Sequence, residues 1–456
     1  MSTTQIGTKR LSLFGFAIFS LPVLVFQAIE LPWRVYLPSF FSETLGLSLA
    51  TVGTLLMMIR LFDMALDPAV GWASDRFPTR FGLRRPWMVA SVPFIVIGTW
   101  QVFFAQAGVS VATLAAWCVA MHFGYTLLVT PHGGWGLEIS SDYHERTRIM
   151  AAKMWFAAAG MPFIILLPSI LERGFHVGRA GQVAAMGVLL IVLTPLSVLL
   201  VLRFIREPAI DPSIAARTQN PFRQFAAILQ DRALVTILAL YALVGLADAS
   251  SAGTFLFFVE QTLALKGWAS TLMLIQAVVA LGAIPAWAAI SRAVGKRRAL
   301  MGVFAWQALS APLALLLPVG GLVPLAAFLL VRNASWGADY MLLRAMVADV
   351  SGRDAGAGLR RSGSYYALFN VTLKLAAGLG VGVALWVLSR AGFVPGTTAT
   401  SDALWTVRLT YALPSFLAGL TGLVILTRGS AEAPAHPAIA AAQSSQVALA
   451  KGEATV

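Results

Sequence analysis

Residues 48–74 read SLATVGTLLMMIRLFDMALDPAVGWAS, and over that length the only charges are Arg60, Asp63 and Asp67. An apolar run of about 20 residues crosses a hydrocarbon layer near 30 Å thick. Runs of this kind recur from Leu11 to Leu426 in the 456-residue chain. Overall the chain is 58% hydrophobic and 12% charged, with a mean hydropathy of +0.78. A soluble domain carries about 25% charge, so the bilayer is the solvent and the fold class is all-α transmembrane.

Working outward, the runs and their charged or Gly/Pro-rich boundaries predict spans at 12–40, 48–74, 86–106, 111–139, 147–171 and 182–204. Six more follow at 233–261, 268–291, 299–317, 322–348, 363–389 and 404–427. The expected organisation is a six-helix bundle over 1–205, a linker loop over 206–232, a second six-helix bundle over 233–428 and a disordered tail over 429–456. Polar residues from Met1 to Arg10 precede the first run, which has no small-residue cleavage site and reads as a retained helix.

The formal net charge of +13 is a topology signal, because the basic residues sit between the spans and form no basic domain with interleaved aromatics. No nucleic-acid partner is expected. One set of alternate loops holds Arg76, Arg80, Arg84, Arg85, Arg292, Lys296, Arg297 and Arg298, whereas the other holds Arg173, Arg179, Lys266 and Arg390. Lys and Arg stay on the cytoplasmic side during insertion, so both termini are expected in the cytoplasm of a bacterial-type inner membrane. The single cysteine, Cys118, excludes an intrachain disulfide and a Cys-based metal site.

The halves carry a repeat. Gly82-Leu83-Arg84-Arg85 follows the second span and Gly295-Lys296-Arg297-Arg298 follows the eighth, an offset of 295 − 82 = 213 residues. Two equivalent halves imply a pseudo-twofold axis along the membrane normal and a cavity between them, and one chain suffices as a monomer.

A charge at mid-bilayer costs about 2.5–3.5 kcal/mol on insertion scales, so each must be paired, water-facing or functional. Asp63 and Asp67 are i, i+4 on one helical face with Arg60 one turn before. Two carboxylates there form a cation site, for Na⁺ or, through mutual repulsion, for a proton; the structural alternative is a buried Arg60–Asp63 pair. Lys374, with Asn370 one turn away, is an isolated lysine that needs an acid, and Asp63 or Asp67 can supply it if the halves face each other. Glu30 and Arg34, also i, i+4, are expected to neutralise each other, and Asp248 lies in a small-residue stretch suited to a cavity wall or to tight packing. Asp339, Arg344 and His122 are further intramembrane polar candidates, His122 as a proton relay or a packing residue. Trp135 and Trp336 are candidates to stack on a sugar ring or to anchor at the lipid interface.

These motifs resemble the glycoside–pentoside–hexuronide:cation symporter family of the major facilitator superfamily, of which the melibiose permease is the best-known member. The resemblance rests on Arg60-x-x-Asp63-x-x-x-Asp67-Pro68-x-x-Gly71-x-x-Ser74-Asp75-Arg76, Gly82-x-Arg84-Arg85-Pro86-Trp87, Glu138-Ile-Ser-Ser-Asp142-Tyr-x-Glu145-Arg146-Thr147, Ala348-Asp349 and Lys374, and covers most of the chain. It implies a twelve-helix major facilitator fold, Asp63 and Asp67 as coupling-cation carboxylates, and Lys374 as their partner. Asp75, Arg84, Arg85, Glu145, Arg146, Lys153 and Asp349 are implied members of a cytoplasmic gate, with Lys153 standing where the family has arginine. Matching Pro131 puts Val129 where the melibiose-permease type has a helix IV aspartate, and Glu30 lies too far along the first helix to match that type's helix I acid. A galactoside is therefore not implied, and the loss of one acid leaves H⁺ beside Na⁺ as coupling ion.

The expected function is secondary active, cation-coupled symport of a sugar, glycoside or related small solute, with no cofactor. A proton-coupled exporter on the same architecture is the alternative. A non-transporting sensor would not need these intramembrane charges, and no phosphate loop, metal-ligand spacing or Ser/His/Asp order points to an enzyme.

Overall fold

The computed structural model describes residues 12–428 except 78, 140–142, 208–228, 357–361 and 398. The tail 429–456 and most of the linker 206–232 therefore lie outside the described residues, as do the side chains of Asp75, Glu145 and Arg146. The chain runs through α1 (Leu13–Thr44), α2 (Leu49–Arg76), α3 (Arg85–Phe103), α4 (Val111–Glu138), α5 (Tyr143–Gly174) and α6 (Arg179–Phe204). The second half comprises α7 (Arg232–Thr262), α8 (Ala269–Val294), α9 (Lys296–Leu316), α10a (Leu322–Asn333), α10b (Ala338–Gly356), α11 (Ser362–Arg390) and α12 (Ser401–Arg428). Among the described residues, 11 helices are long and apolar enough to span a bilayer, and the two short pieces of α10 share the remaining crossing.

Capping side chains start several of the helices. Ser48 and Ser110 accept from the Thr51 and Thr113 N–H groups at 3.1 Å, and Asp231 accepts from Ala233 N–H at 2.8 Å. Burial is the reverse of a soluble protein's. Leu316 and Val323 are 79% and 77% exposed, whereas Arg60 and Asp63 are 3% and 0% exposed, the distribution expected when lipid covers the outside.

Equivalent pairs pack in the two halves: α1 on α5 as α7 on α11, and α3 on α6 as α9 on α12. The repeated loops also do the same work in each. Arg85 donates to the Leu202 and Ile205 carbonyls ending α6, at 3.1 and 2.6 Å, and Arg297 donates to the Leu426 carbonyl near the end of α12 at 3.1 and 2.5 Å. A guanidinium on a helix's last carbonyls satisfies acceptors with no partner inside the helix and meets the negative end of its dipole. Gly82 and Gly295 both hold positive φ, +119° and +89°, at the turn that aims these arginines.

Two helices depart from the predicted spans. In α1, Pro32–Tyr36 and Phe40–Thr44 are π-turns that carry the helix past residue 40; Pro32 and Pro38 lack the N–H of a regular ladder. The span predicted as 322–348 is interrupted at residues 334–337, where Gly337 takes φ +82°. The halves meet along α2–α11 and α5–α8. Glycines allow the first contact: Gly378 lies on the Arg60 stem and Gly382 on Met57 and the Gly53 carbonyl, so an added Cβ would sit 2.7 and 3.1 Å from its nearest neighbour.

Candidate functional site between the two halves

The α2–α11 contact places Lys374 Nζ 2.5 Å from Asp67 Oδ2, across the half–half boundary. Thr126 on α4 donates to the other Asp67 oxygen at 3.2 Å, and the Tyr125 ring lies 5.8 Å from the Lys374 ammonium. One turn away Asp63 is fully buried, with His122 Nδ1 2.8 Å from Oδ2 and, among the described residues, no partner on Oδ1. His122 is held edge-on to Trp33 with centroids 4.3 Å apart, and its Nε2 is buried without a partner. Arg60 reaches Asp63 only at 3.6 Å and instead grips Glu30 with both terminal nitrogens, at 2.8 and 2.5 Å. The cluster therefore holds three carboxylates, and the middle one has an unused acceptor oxygen.

A second cluster lies between α1, α7 and α10. Asp248 pairs with Arg34 and accepts from Trp336 Nε1 at 2.8 Å and from Tyr340 OH at 3.2 Å. The expected Glu30–Arg34 pair does not form. The π-turn over Pro32–Tyr36 shifts Arg34 around the α1 axis relative to a regular i, i+4 partner, and the two charges go to different halves, Glu30 to α2 and Arg34 to α7.

Between the clusters is a cavity of about 210 Å³, lined by Glu30 and Arg34 of α1, Asp248 of α7, Gln276 of α8, and Arg332, Asn333 and Trp336 around the α10 break. Glu30 thus faces the cavity despite its position far along the first helix. Trp336 and Asp248 line the cavity as well. Arg60, His122, Asn370 and Asp339 do not: Arg60 and His122 reach Glu30 and Asp63 from behind, Asn370 is partly buried on α11, and Asp339 is held by Gln307 Nε2 at 2.7 Å and the Tyr340 N–H at 2.8 Å. Trp135 is a correction. It is fully buried in the first half, edge-on to Phe19 with centroids 5.8 Å apart, and faces neither cavity nor lipid.

Arg332 escaped the sequence reading. It donates to Ser415 Oγ at 2.8 Å, and no carboxylate among the described residues lies within ion-pair distance of it. Its place in the last turn of α10a earns about 0.3–1 kcal/mol from the helix dipole, less than the ~2.5–3.5 kcal/mol that a mid-bilayer cation costs.

At the face opposite the basic loops the halves are tied together. Arg179 of α6 meets Glu260 of α7 at 2.5 Å, Gln261 donates to Glu43 at 2.8 Å, and the Arg173 guanidinium lies 3.7 Å over the Trp268 ring. Glu172 of α5 accepts from the Ser270 N–H at 2.8 Å, capping the start of α8, which has no side-chain cap of its own. At the basic face, the contacts of the gate candidates among the described residues include Arg84 donating to Ser74 at 2.9 Å, Asp349 pairing with Lys296 at 2.6 Å, and Lys153 lying 5.8 Å over the Phe19 ring. Arg85 caps α6. Asp75, Glu145 and Arg146 lie outside the described side chains.

The fold and these residues can be set beside known proteins. The nucleoside transporter NupG superposes with a TM-score of 0.65 at 14% identity, covering 91% of this chain and 100% of that one, which shows a shared fold. An uncharacterised symporter of Synechocystis, sll1374, is 24% identical over 86% of this chain and 89% of its own. The glucuronide carrier protein homolog of Escherichia coli K12 is 24% identical over 83% of this chain and 84% of its own. The family described as MFS/sugar transport protein matches residues 18–430. An integral membrane protein with two six-crossing halves, a cavity between them and acids on the second helix, the chain belongs to the MFS/sugar transport family.

Proposed function

We propose that the protein couples entry of a carbohydrate-type solute to the gradient of a cation, Na⁺ or H⁺, by alternating access. The observation that carries this reading is the Lys374–Asp67 bridge between halves, beside a buried Asp63 oxygen that accepts no hydrogen bond from the described residues. In the cation-free state Lys374 neutralises Asp67. A cation bound by Asp63 and Asp67 releases Lys374 and loosens the α2–α11 contact, so ion occupancy biases which arrangement of the halves is favoured. The Glu172, Arg179 and Glu260 contacts tie the halves together at the face opposite the basic loops, the arrangement expected of a carrier closed on that side. The symporter and glucuronide-carrier relatives support the solute class.

Uptake into right-side-out vesicles, over labelled sugars, glycosides and uronates with imposed Na⁺ or H⁺ gradients, tests the reading. Gradient-driven accumulation that Asp63→Asn abolishes supports symport and names both ligands. Export of solutes against the same gradients, lost in the same variant, would replace symport by antiport.

A further inference from the structure

Arg60 and Asp63 are i, i+3 on α2, a spacing that makes oppositely charged side chains neighbours on one helical face. Their hydrogen bond nevertheless does not form. Arg60 Nη1 stands 3.6 Å from Asp63 Oδ2, whereas the same nitrogen donates to Glu30 Oε1 at 2.8 Å and Nη2 donates to Glu30 Oε2 at 2.5 Å. Two parallel charge-assisted bonds are the stronger arrangement, and Glu30 supplies them from a different helix, α1. The Arg60 stem packs on Gly378 of α11, so the guanidinium has two carboxylates within ion-pair distance and is drawn to the one outside its own helix. Asp63 is left with His122 Nδ1 at 2.8 Å on Oδ2 and, among the described residues, no partner on Oδ1.

Resting on the symport reading, we infer that Glu30 is a positioning residue of the coupling-ion site: it holds Arg60 off Asp63 and so keeps that carboxylate for the cation. The charges of the cluster agree. Glu30, Asp63 and Asp67 stand against Arg60 and Lys374, three carboxylates to two permanent cations, while Arg34 stands against Asp248 and Arg332 against Asp339. A monovalent cation between Asp63 and Asp67 brings the cluster to neutrality, which a low-dielectric interior favours. Without the Glu30 carboxylate, the Arg60 side chain, 4% exposed, becomes a buried cation whose remaining carboxylate within ion-pair distance is that of Asp63. It closes the distance and sits there as a tethered counter-ion, and the cluster is neutral before any ion arrives. Glu30 therefore acts on the ion site through Arg60, without touching the ion.

The test is cation binding to the full chain in nanodiscs, read as the shift of its thermal midpoint. NaCl is titrated against choline chloride and, separately, protons are titrated in choline chloride; in each case the signal is the part of the shift that Asp63→Asn abolishes. Glu30 also lines the solute cavity, so solute is left out and a lost solute contact cannot move the result. The wild type is expected to be stabilised by one of the two ions with a defined half-maximal concentration. In Glu30→Gln that concentration rises about 10- to 100-fold, the range of the charge-assisted bond that Arg60 then makes to Asp63. Combining Glu30→Gln with Arg60→Gln removes the competitor and again leaves one carboxylate in excess, Asp63 and Asp67 against Lys374, so the concentration returns toward the wild-type value. A residue that only holds the helices together predicts the reverse, a double variant that binds no better than the single one. That result, or an unchanged concentration in Glu30→Gln, overturns this inference and leaves the symport reading standing. A wild type stabilised by neither ion overturns the symport reading and this inference with it.

Discussion

Two charge bridges join the halves inside the membrane, and they are built differently. In the Arg34–Asp248 bridge both carboxylate oxygens are occupied, by an arginine, an indole N–H and a phenol. In the Asp63–Asp67–Lys374 cluster Asp67 is held by a flexible ammonium and one hydroxyl, and a buried oxygen of Asp63 has no partner among the described residues. A saturated carboxylate orients its neighbours, whereas one with spare acceptor capacity can exchange a lysine for an ion. The first bridge fixes Trp336 and the α10 break beside the cavity; the second is free to change partner.

The largest break in this contrast is expected from Asp67→Asn. It leaves Lys374 without its acid, and gradient-driven accumulation should fall by at least about 100-fold, the lower end of what the ~3–5 kcal/mol lost when one member of a buried pair is removed corresponds to. Counterflow of solute without a gradient should persist, and unchanged accumulation would mean that Asp67 does not couple. Combining Asp67→Asn with Lys374→Gln removes both charges, so the thermal midpoint of the purified protein should recover toward wild type while accumulation stays lost. A double variant no more stable than Asp67→Asn alone would show that the pair does not act as a unit.

Asp248→Asn keeps acceptors for Trp336 and Tyr340 but strands Arg34. Solute affinity should weaken about 10-fold, the scale of a charge-assisted hydrogen bond, with the ion-to-solute ratio unchanged. A changed ratio would make the two bridges one coupling device. Thr126→Val sharpens the comparison at its smallest scale: losing one neutral donor to Asp67 should shift the cation concentration for half-maximal uptake by about threefold, within the ~0.5–1.5 kcal/mol net worth of such a bond. The same substitution should not move solute affinity measured at saturating cation.

Much of this was legible in the residues. Twelve crossings follow from hydropathy because lipid requires each span to be long and apolar, and α10 alone, broken into shorter pieces, fails that test in the structure. Asp63, Asp67 and Lys374 stood out because charge inside lipid is costly. The equivalence of the 82–85 and 295–298 loops reappears as two arginines capping α6 and α12. Trp135 was misread because an indole suits a lipid interface, a sugar face and a packed core equally; Phe19 decides for the core. The Glu30–Arg34 pairing failed on a local matter, a π-turn beginning at a proline. Arg332 was missed because at the end of an apolar run it reads like any boundary arginine, and Gly337 was the one available sign that the run is broken there.

The sequence by itself determined the solvent, the number of crossings, the two-half organisation and the need for the intramembrane acids to meet cations, since all of these follow from the cost of exposing polar groups to hydrocarbon. Which cation each acid meets was decided only by the tertiary structure. Pairing across helices depends on how closely glycine-lined faces approach and how far each helix is turned about its axis, and a single wide turn in α1 sends Glu30 to one half and Arg34 to the other.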